Sequence, residues 1–140
     1  MKKRKLIIIP AYNESACIEK TVKDIQKYAP EFDYIVINDC STDNTREICE
    51  QHGFHLINLP VNLGIGGAVQ TGYLYGYRNG YDMAVQVDGD GQHNPAFLNE
   101  MAETLEKEKL DMVIGSRFIE KKGFQSSSMR RVGIRNFSAL

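Results

Sequence analysis

Cysteine is scarce in this sequence, net charge is close to nil, and no long apolar run occurs. Each shortage excludes a class of protein. The three cysteines, Cys17, Cys40 and Cys49, form an odd set without a C-x-x-C pair. That excludes a disulfide framework or a zinc ribbon and points to a reducing cytosol. After a basic N-terminus, the run Leu6–Ile9 is too short for a signal-peptide core, and Pro10 interrupts it. No window approaches the ~20 apolar residues that a membrane-spanning helix requires, so the chain as it stands is expected to be soluble. Internal repeats and low-complexity tracts are missing too. What remains is 140 residues, 42% apolar and 25% charged with a net charge of −1, the composition of one globular domain with room for a core.

The charge is unevenly spread. Residues 117–140 hold Arg117, Lys121, Lys122, Arg130, Arg131 and Arg135 against the single acid Glu120, leaving the first 116 residues with 11 basic and 17 acidic groups. Such a segment is either a solvated tail or a surface that faces phosphate, nucleic acid or an anionic membrane.

Strand and helix signals alternate along the chain. Leu6–Ile9 and the β-branched run Tyr34–Ile37 predict buried strands. Phe54–Leu59 predicts a third strand, Met83–Val87 a fourth and Met112–Ile114 a fifth. Between Glu14 and Ala29, the residues Ile18, Val22, Ile25 and Ala29 form one helical stripe. A second helix is expected after the turn Asn38–Asp43, ended by Gly53, a third from Gly64 to Tyr77, and a fourth from Pro95. This alternation predicts an α/β fold, a Rossmann-like open and mostly parallel sheet with helices on both faces. Right-handed crossovers then bring every strand's C-terminal end to one edge, where ligands of such sheets bind. Pro10–Glu14, Asn38–Asp43, Asn62–Gly67, Asp88–Gln92 and Gly115–Arg117 all fall on that rim.

Asp88-Gly89-Asp90-Gly91-Gln92 follows the fourth strand. Two carboxylates one residue apart, on a glycine-rich bend, can turn their oxygens toward one hard cation; Mg²⁺ or Mn²⁺ suits such ligands and bridges nucleotide phosphates. The alternative is a polar turn with helix-capping acids. Asp39 can accept hydrogen bonds from a base edge or a ribose, or it can cap a helix. The segment Gly64-Ile65-Gly66-Gly67 approaches a dinucleotide fingerprint, but Val69 stands where its last glycine is needed, so a nicotinamide site is rejected. A calcium loop opened at Asp88 would need glycine where His93 stands and an acid where Asn99 stands, and is rejected as well.

Taken in order, these segments resemble family 2 glycosyltransferases of the GT-A fold, and within them the dolichol- or polyprenyl-phosphate sugar synthases. The likeness runs through Pro10-Ala11-Tyr12-Asn13-Glu14, Asn38-Asp39-Cys40-Ser41-Thr42-Asp43, Asn62-Leu63-Gly64 with Ala68 and Gly72, Val87–His93 with Pro95, Gly115-Ser116-Arg117 and Arg130–Arg135. It implies a nucleotide site of Pro10, Ala11, Tyr12, Glu14, Asp39, Gly64, Asp88 and Gly89. A Mg²⁺ or Mn²⁺ would be held by Asp88, Asp90 and Gln92, with Asp90, Arg117 and Arg131 serving the chemistry. Residues 1–116 would then be a nucleotide-sugar-binding core and 117–140 a basic acceptor-side segment. The implied reaction is inverting transfer of a sugar from a UDP- or GDP-sugar to a polyprenyl or dolichyl phosphate at the cytoplasmic face of a membrane, with no nucleic acid partner.

Three alternatives remain open at this point: transfer to a saccharide hydroxyl, nucleotide binding without turnover, and a haloacid-dehalogenase-like phosphatase. The acidic base and Q-x-x-R-W motif of the hydroxyl-directed, processive members do not occur here. Family catalytic domains are longer than 140 residues, so the chain is expected to be a fragment holding the donor half of the enzyme. Ala139 and Leu140 would then lie within a helix resting on the membrane surface.

Overall fold

The computed structural model describes residues 4–89 and, as backbone, 134–136. Its elements are β1 (Lys5–Ala11), α1 (Ile18–Tyr28), β2 (Asp33–Asn38), α2 (Thr45–Gln51), β3 (Leu56–Asn58), α3 (Gly64–Arg78), β4 (Met83–Gln86) and β5 (Ile134–Asn136). The strands form one sheet in the order β3-β2-β1-β4-β5. β1 to β4 run parallel, and β5 lies antiparallel to β4. The expected α/β architecture is therefore present, with one antiparallel strand at the end of the described sheet. The strand and helix expected at Met112–Ile114 and after Pro95 lie outside the described residues.

The apolar runs of β1 and β2 are continuous because both sheet faces are covered. Successive side chains of a strand point to opposite faces. Ile7, Ile9 and Ala11 pack with Ile18, Val22 and Ile25 of α1 and Cys49 of α2 on one side. Leu6 and Ile8 pack with Ala68 of α3, Ile35, Ile37 and Ala84 on the other. α3 approaches β1 so closely that a Cβ on Gly72 would stand 2.3 Å from Ile8 Cγ2. Of the three cysteines, only Cys49 is a buried apolar residue, with burial pushing its thiol up to about 11; Cys17 and Cys40 are partly exposed.

β3 is shorter than expected, Leu56–Asn58 instead of Phe54–Leu59, and two further boundaries differ for local reasons. β1 continues through Pro10 to Ala11 instead of stopping at the proline. The Ile8 carbonyl accepts the Val87 N–H and the Ala11 carbonyl the Asp39 N–H, so the missing Pro10 donor faces the β4 side. Pairing with β4 ends at Ile8 and Gln86, and no ladder bond is lost. α1 begins at Ile18 instead of near Glu14: Asn13 stands at φ 54°, outside helical geometry, and a turn in which the Glu14 carbonyl accepts both the Cys17 and Ile18 N–H groups leads into the helix.

Candidate functional site

The strand order reverses between β1 and β4. From β1 the chain winds outward to β2 and β3, then returns through α3 to β4 on β1's other side. Loops leaving the C-terminal ends of β1 and β4 diverge there and open a crevice. A cavity of about 170 Å³ occupies it. Its lining comes from the end of β1 and the loop beyond (Pro10, Ala11, Tyr12, Glu14), from Asp39 after β2, from Ile65 and Ala68 of α3, and from Asp88 and Gly89 after β4. Gly89 fits because a Cβ there would lie 3.3 Å from the Pro10 carbonyl oxygen and 3.4 Å from Ile9 Cγ2.

Asp39 is 3% exposed. Its Oδ1 accepts the Leu63 N–H at 2.7 Å and its Oδ2 the Gly64 N–H at 2.9 Å, which are donors at the start of α3 that no turn of that helix can satisfy. The carboxylate also matches the positive end of the helix dipole. Asp39 thus caps α3, the third helix, and not α2, whose start lies closest in sequence. Its two oxygens offer about four acceptor positions, and these bonds use two. Gly64, expected in the ligand site, does not line the cavity; at φ 80° its backbone delivers one of those two N–H groups.

The loop after β2, together with the first residue of α2, also holds the loop after β1. Asn13 N–H donates to Ser41 Oγ at 3.0 Å, Glu14 N–H to Thr45 Oγ1 at 2.9 Å, and Ser15 N–H to Asp43 Oδ2 at 3.1 Å. In return, Asn13 Oδ1 accepts the Thr42 N–H at 2.8 Å and the Asp43 N–H at 3.3 Å. Burial pulls the Asp43 carboxyl up, but hydrogen bonds from Thr45 and Ser15 outweigh it and hold the group at about 2.

Asp88 is 4% exposed at the end of the β4 segment, with Gln86 Nε2 3.4 Å from Oδ1. A buried carboxylate opening on a cavity is the oxygen donor that a hard divalent cation takes. Among the described residues no three acidic, histidine or cysteine groups converge to hold a metal. The other expected ligands, Asp90 and Gln92, and the expected chemical residues, Asp90, Arg117 and Arg131, lie outside the described residues.

Seven of the expected nucleotide-site residues therefore share one cavity: Pro10, Ala11, Tyr12, Glu14, Asp39, Asp88 and Gly89. Ile65 and Ala68 also line it and are not among the expected nucleotide-site residues, although Ala68 belongs to a segment that carries the family likeness; an apolar residue in a helix's first turns signals only packing, and their place just after the Gly64 turn is the available clue. A second hollow of about 360 Å³ lies at the strands' opposite edge, bordered by Phe32, Asp33, Tyr34, His55, Tyr75 and Tyr81. Polar groups there already pair with one another: Tyr81 Oη donates to Asp33 at 2.6 Å, and Tyr34 Oη accepts the His55 N–H at 3.2 Å.

The family model described as glycosyl transferase family 2 matches residues 6–138. An undecaprenyl-phosphate mannosyltransferase of Micrococcus luteus is 35% identical over 119 residues, 81% of this chain and 48% of that protein. A UDP-N-acetylglucosamine–dolichyl-phosphate N-acetylglucosaminyltransferase of Methanococcus voltae is 30% identical over 145 residues, 91% of this chain and 57% of its own length. The chain thus spans about half the length of these curated relatives. In fold, it matches the glucosyl-3-phosphoglycerate synthase of Mycobacterium tuberculosis, solved with Mn²⁺, UDP and glucosyl-3-phosphoglycerate. That match has a TM-score of 0.67 at 20% identity and covers 99% of this chain and 58% of the other.

Proposed function

The chain belongs to glycosyl transferase family 2, and on that footing we propose that it carries the donor half of an enzyme that moves a sugar from a UDP- or GDP-sugar to a polyprenyl or dolichyl phosphate. One observation carries the reading. The 170 Å³ cavity at the switch point gathers Pro10, Tyr12, Glu14, Asp39, Asp88 and Gly89 from three separate loops, at the edge where open α/β sheets take nucleotides. The relatives named for lipid-phosphate acceptors support the acceptor class.

On this reading the nucleoside lies against Pro10, Ala11 and Tyr12, and the free acceptor positions of Asp39 take a donor from the base or ribose. Asp88, with Asp90 and Gln92, would hold Mg²⁺ or Mn²⁺, which when bound would offset charge on the diphosphate. The acceptor is a phosphate monoester, already anionic near neutral pH, so no strong general base is required. One of its oxygens attacks the anomeric carbon, the bond from that carbon to the nucleoside diphosphate oxygen breaks, and configuration inverts. Arg117 and Arg131 meet the acceptor phosphate or the departing charge. No helix among the described residues is long and apolar enough to cross a membrane; on this reading the lipid acceptor is met at the cytoplasmic surface of a membrane.

The test is a panel of UDP- and GDP-sugars scored for thermal stabilisation with Mn²⁺, since a ligand that binds only the native state raises its melting temperature. One nucleotide class should stabilise the chain in the presence of metal. No shift with any member of either class would remove the nucleotide reading.

A further inference from the structure

We propose that Asn13 is a positioning residue of the nucleotide site. It does not line the cavity, but it latches the loop after β1 onto the loop after β2 and so fixes Tyr12 and Glu14 against the ligand. The assignment rests on the nucleotide reading above.

Tyr12 and Glu14, which line the cavity, flank Asn13 in sequence. Asn13 takes φ 54°, a left-handed conformation that asparagine tolerates better than most residues. That kink lets its side chain face the second loop, where Oδ1 collects the Thr42 and Asp43 N–H groups and lies 3.3 Å from Thr42 Oγ1. The same kink presents three successive N–H groups, those of Asn13, Glu14 and Ser15, to Ser41, Thr45 and Asp43 in turn. Those acceptors are themselves fixed. Ser41 Oγ donates to Asn38 Oδ1 at 2.6 Å, Asn38 Nδ2 to Asn58 Oδ1 at 2.8 Å, and Thr45 Oγ1 to Asp43 Oδ1 at 2.5 Å. The first loop is thereby tied through the second to strands β2 and β3. Four of these bonds cross between the loops through backbone N–H groups and a fifth reaches Thr45 at the start of α2, so the latch sets backbone position and not merely side-chain contact. Because Asp39 in the second loop also holds the start of α3, all three cavity walls that these loops and α3 supply share one anchor.

Asn13→Gly keeps the backbone conformation available while deleting the side-chain acceptor. Asn13→Asp keeps an acceptor oxygen and tolerates the same φ. Affinity for UDP and for GDP with Mn²⁺ is measured by calorimetry on the full chain, at a temperature where circular dichroism shows every variant fully folded. Asn13→Gly should weaken the nucleotide that the wild type binds by about tenfold, and Asn13→Asp should stay within about threefold of wild type. A merely stabilising role would lower the melting temperature yet leave affinity of the folded protein unchanged. Affinity of Asn13→Gly within twofold of wild type, or Asn13→Asp as weak as Asn13→Gly, would overturn the assignment alone. A wild type that binds neither nucleotide would overturn the nucleotide reading and the assignment with it.

Discussion

Replacing Gly72 by alanine would set a methyl carbon 2.3 Å from Ile8 Cγ2, 3.0 Å from Ile8 Cγ1 and 3.2 Å from Ile8 Cβ. Carbon atoms in a packed core rest about 3.5–4.0 Å apart, so the shortfall at Cγ2 exceeds 1 Å. Ile8 cannot yield easily. It is fully buried on β1, which lies between β2 and β4 in the sheet, and leaving its rotamer would collide with other core atoms. Overpacking of this kind costs about 1–3 kcal/mol, against which alanine in a helix gains up to about 1 kcal/mol over glycine. Gly66 on the same helix supplies the control, because a Cβ there meets nothing within 4 Å. The propensity gain is common to both variants, so their difference isolates the clash. Gly66→Ala should be neutral or stabilising, and Gly72→Ala should lie about 1–3 kcal/mol below it in urea unfolding at constant slope. A second substitution locates the contact. Ile8→Val retains Cγ2 and should not relieve Gly72→Ala, whereas Ile8→Ala removes Cγ2 and should make the pair cost less than the sum of its parts. Equal stabilities for the two glycine variants would refute the close approach of α3 to β1.

Further outcomes follow from the loops and from Asp88. The Asp43 carboxyl is held at about 2, below its ordinary 3.8, so its contribution is present above about pH 4 and lost as pH falls toward 2. The penalty of Asp43→Asn, about 1–2 kcal/mol near neutrality, should therefore shrink to a small fraction by about pH 2, and a penalty independent of pH would contradict the bonding to Thr45 and Ser15. Asp39→Ala strips two N–H groups at the start of α3 of their acceptor and should cost about 1–2 kcal/mol in thermal unfolding; an unchanged melting temperature would deny the cap. Asp88→Asn and Asp90→Asn should each weaken Mn²⁺-dependent nucleotide binding at least tenfold, about 1.4 kcal/mol, and unchanged calorimetric affinity would remove that residue from the metal set. Arg131→Ala should spare nucleotide binding yet depress transfer to lipid phosphate in the full-length protein; loss of nucleotide binding would move Arg131 to the donor site.

What could be read from the sequence was local or periodic. The apolar runs of β1, β2 and β4, the stripe on α1 and the stop at Gly53 each depend on residues close together in the chain. Alternation of elements was enough to predict that Pro10, Asp39 and Asp88 meet on one rim. The cross-loop bonds were not legible. Asp39, Ser41, Thr42 and Asp43 look like candidates to cap the helix that follows them; Asp43 Oδ1 does take the Thr45 N–H at the start of α2, but only the fold reveals that Asp39 serves α3 while Ser41 and the other Asp43 oxygen serve the loop after β1. Their partners stand 24 to 28 positions away, and no spacing rule reaches that far. β5 escaped for a related reason. Ile134-Arg135-Asn136 is too short to show a period, and its strand state comes from pairing with β4, a neighbour distant in sequence.

The double duty of Asp39 limits how this site could drift toward another nucleotide. A residue that merely met the ligand could be exchanged whenever a different base was favoured. Asp39 must also present two acceptor oxygens, at one reach, to Leu63 and Gly64; glutamate is a methylene too long and asparagine turns one acceptor into a donor. On the proposed reading, a change of base preference would be easier to reach through Tyr12 or Ile65, both cavity-lining and about half exposed, whose side chains carry no such obligation to the backbone. Relatives with different donors are then expected to keep the carboxylate and differ around it.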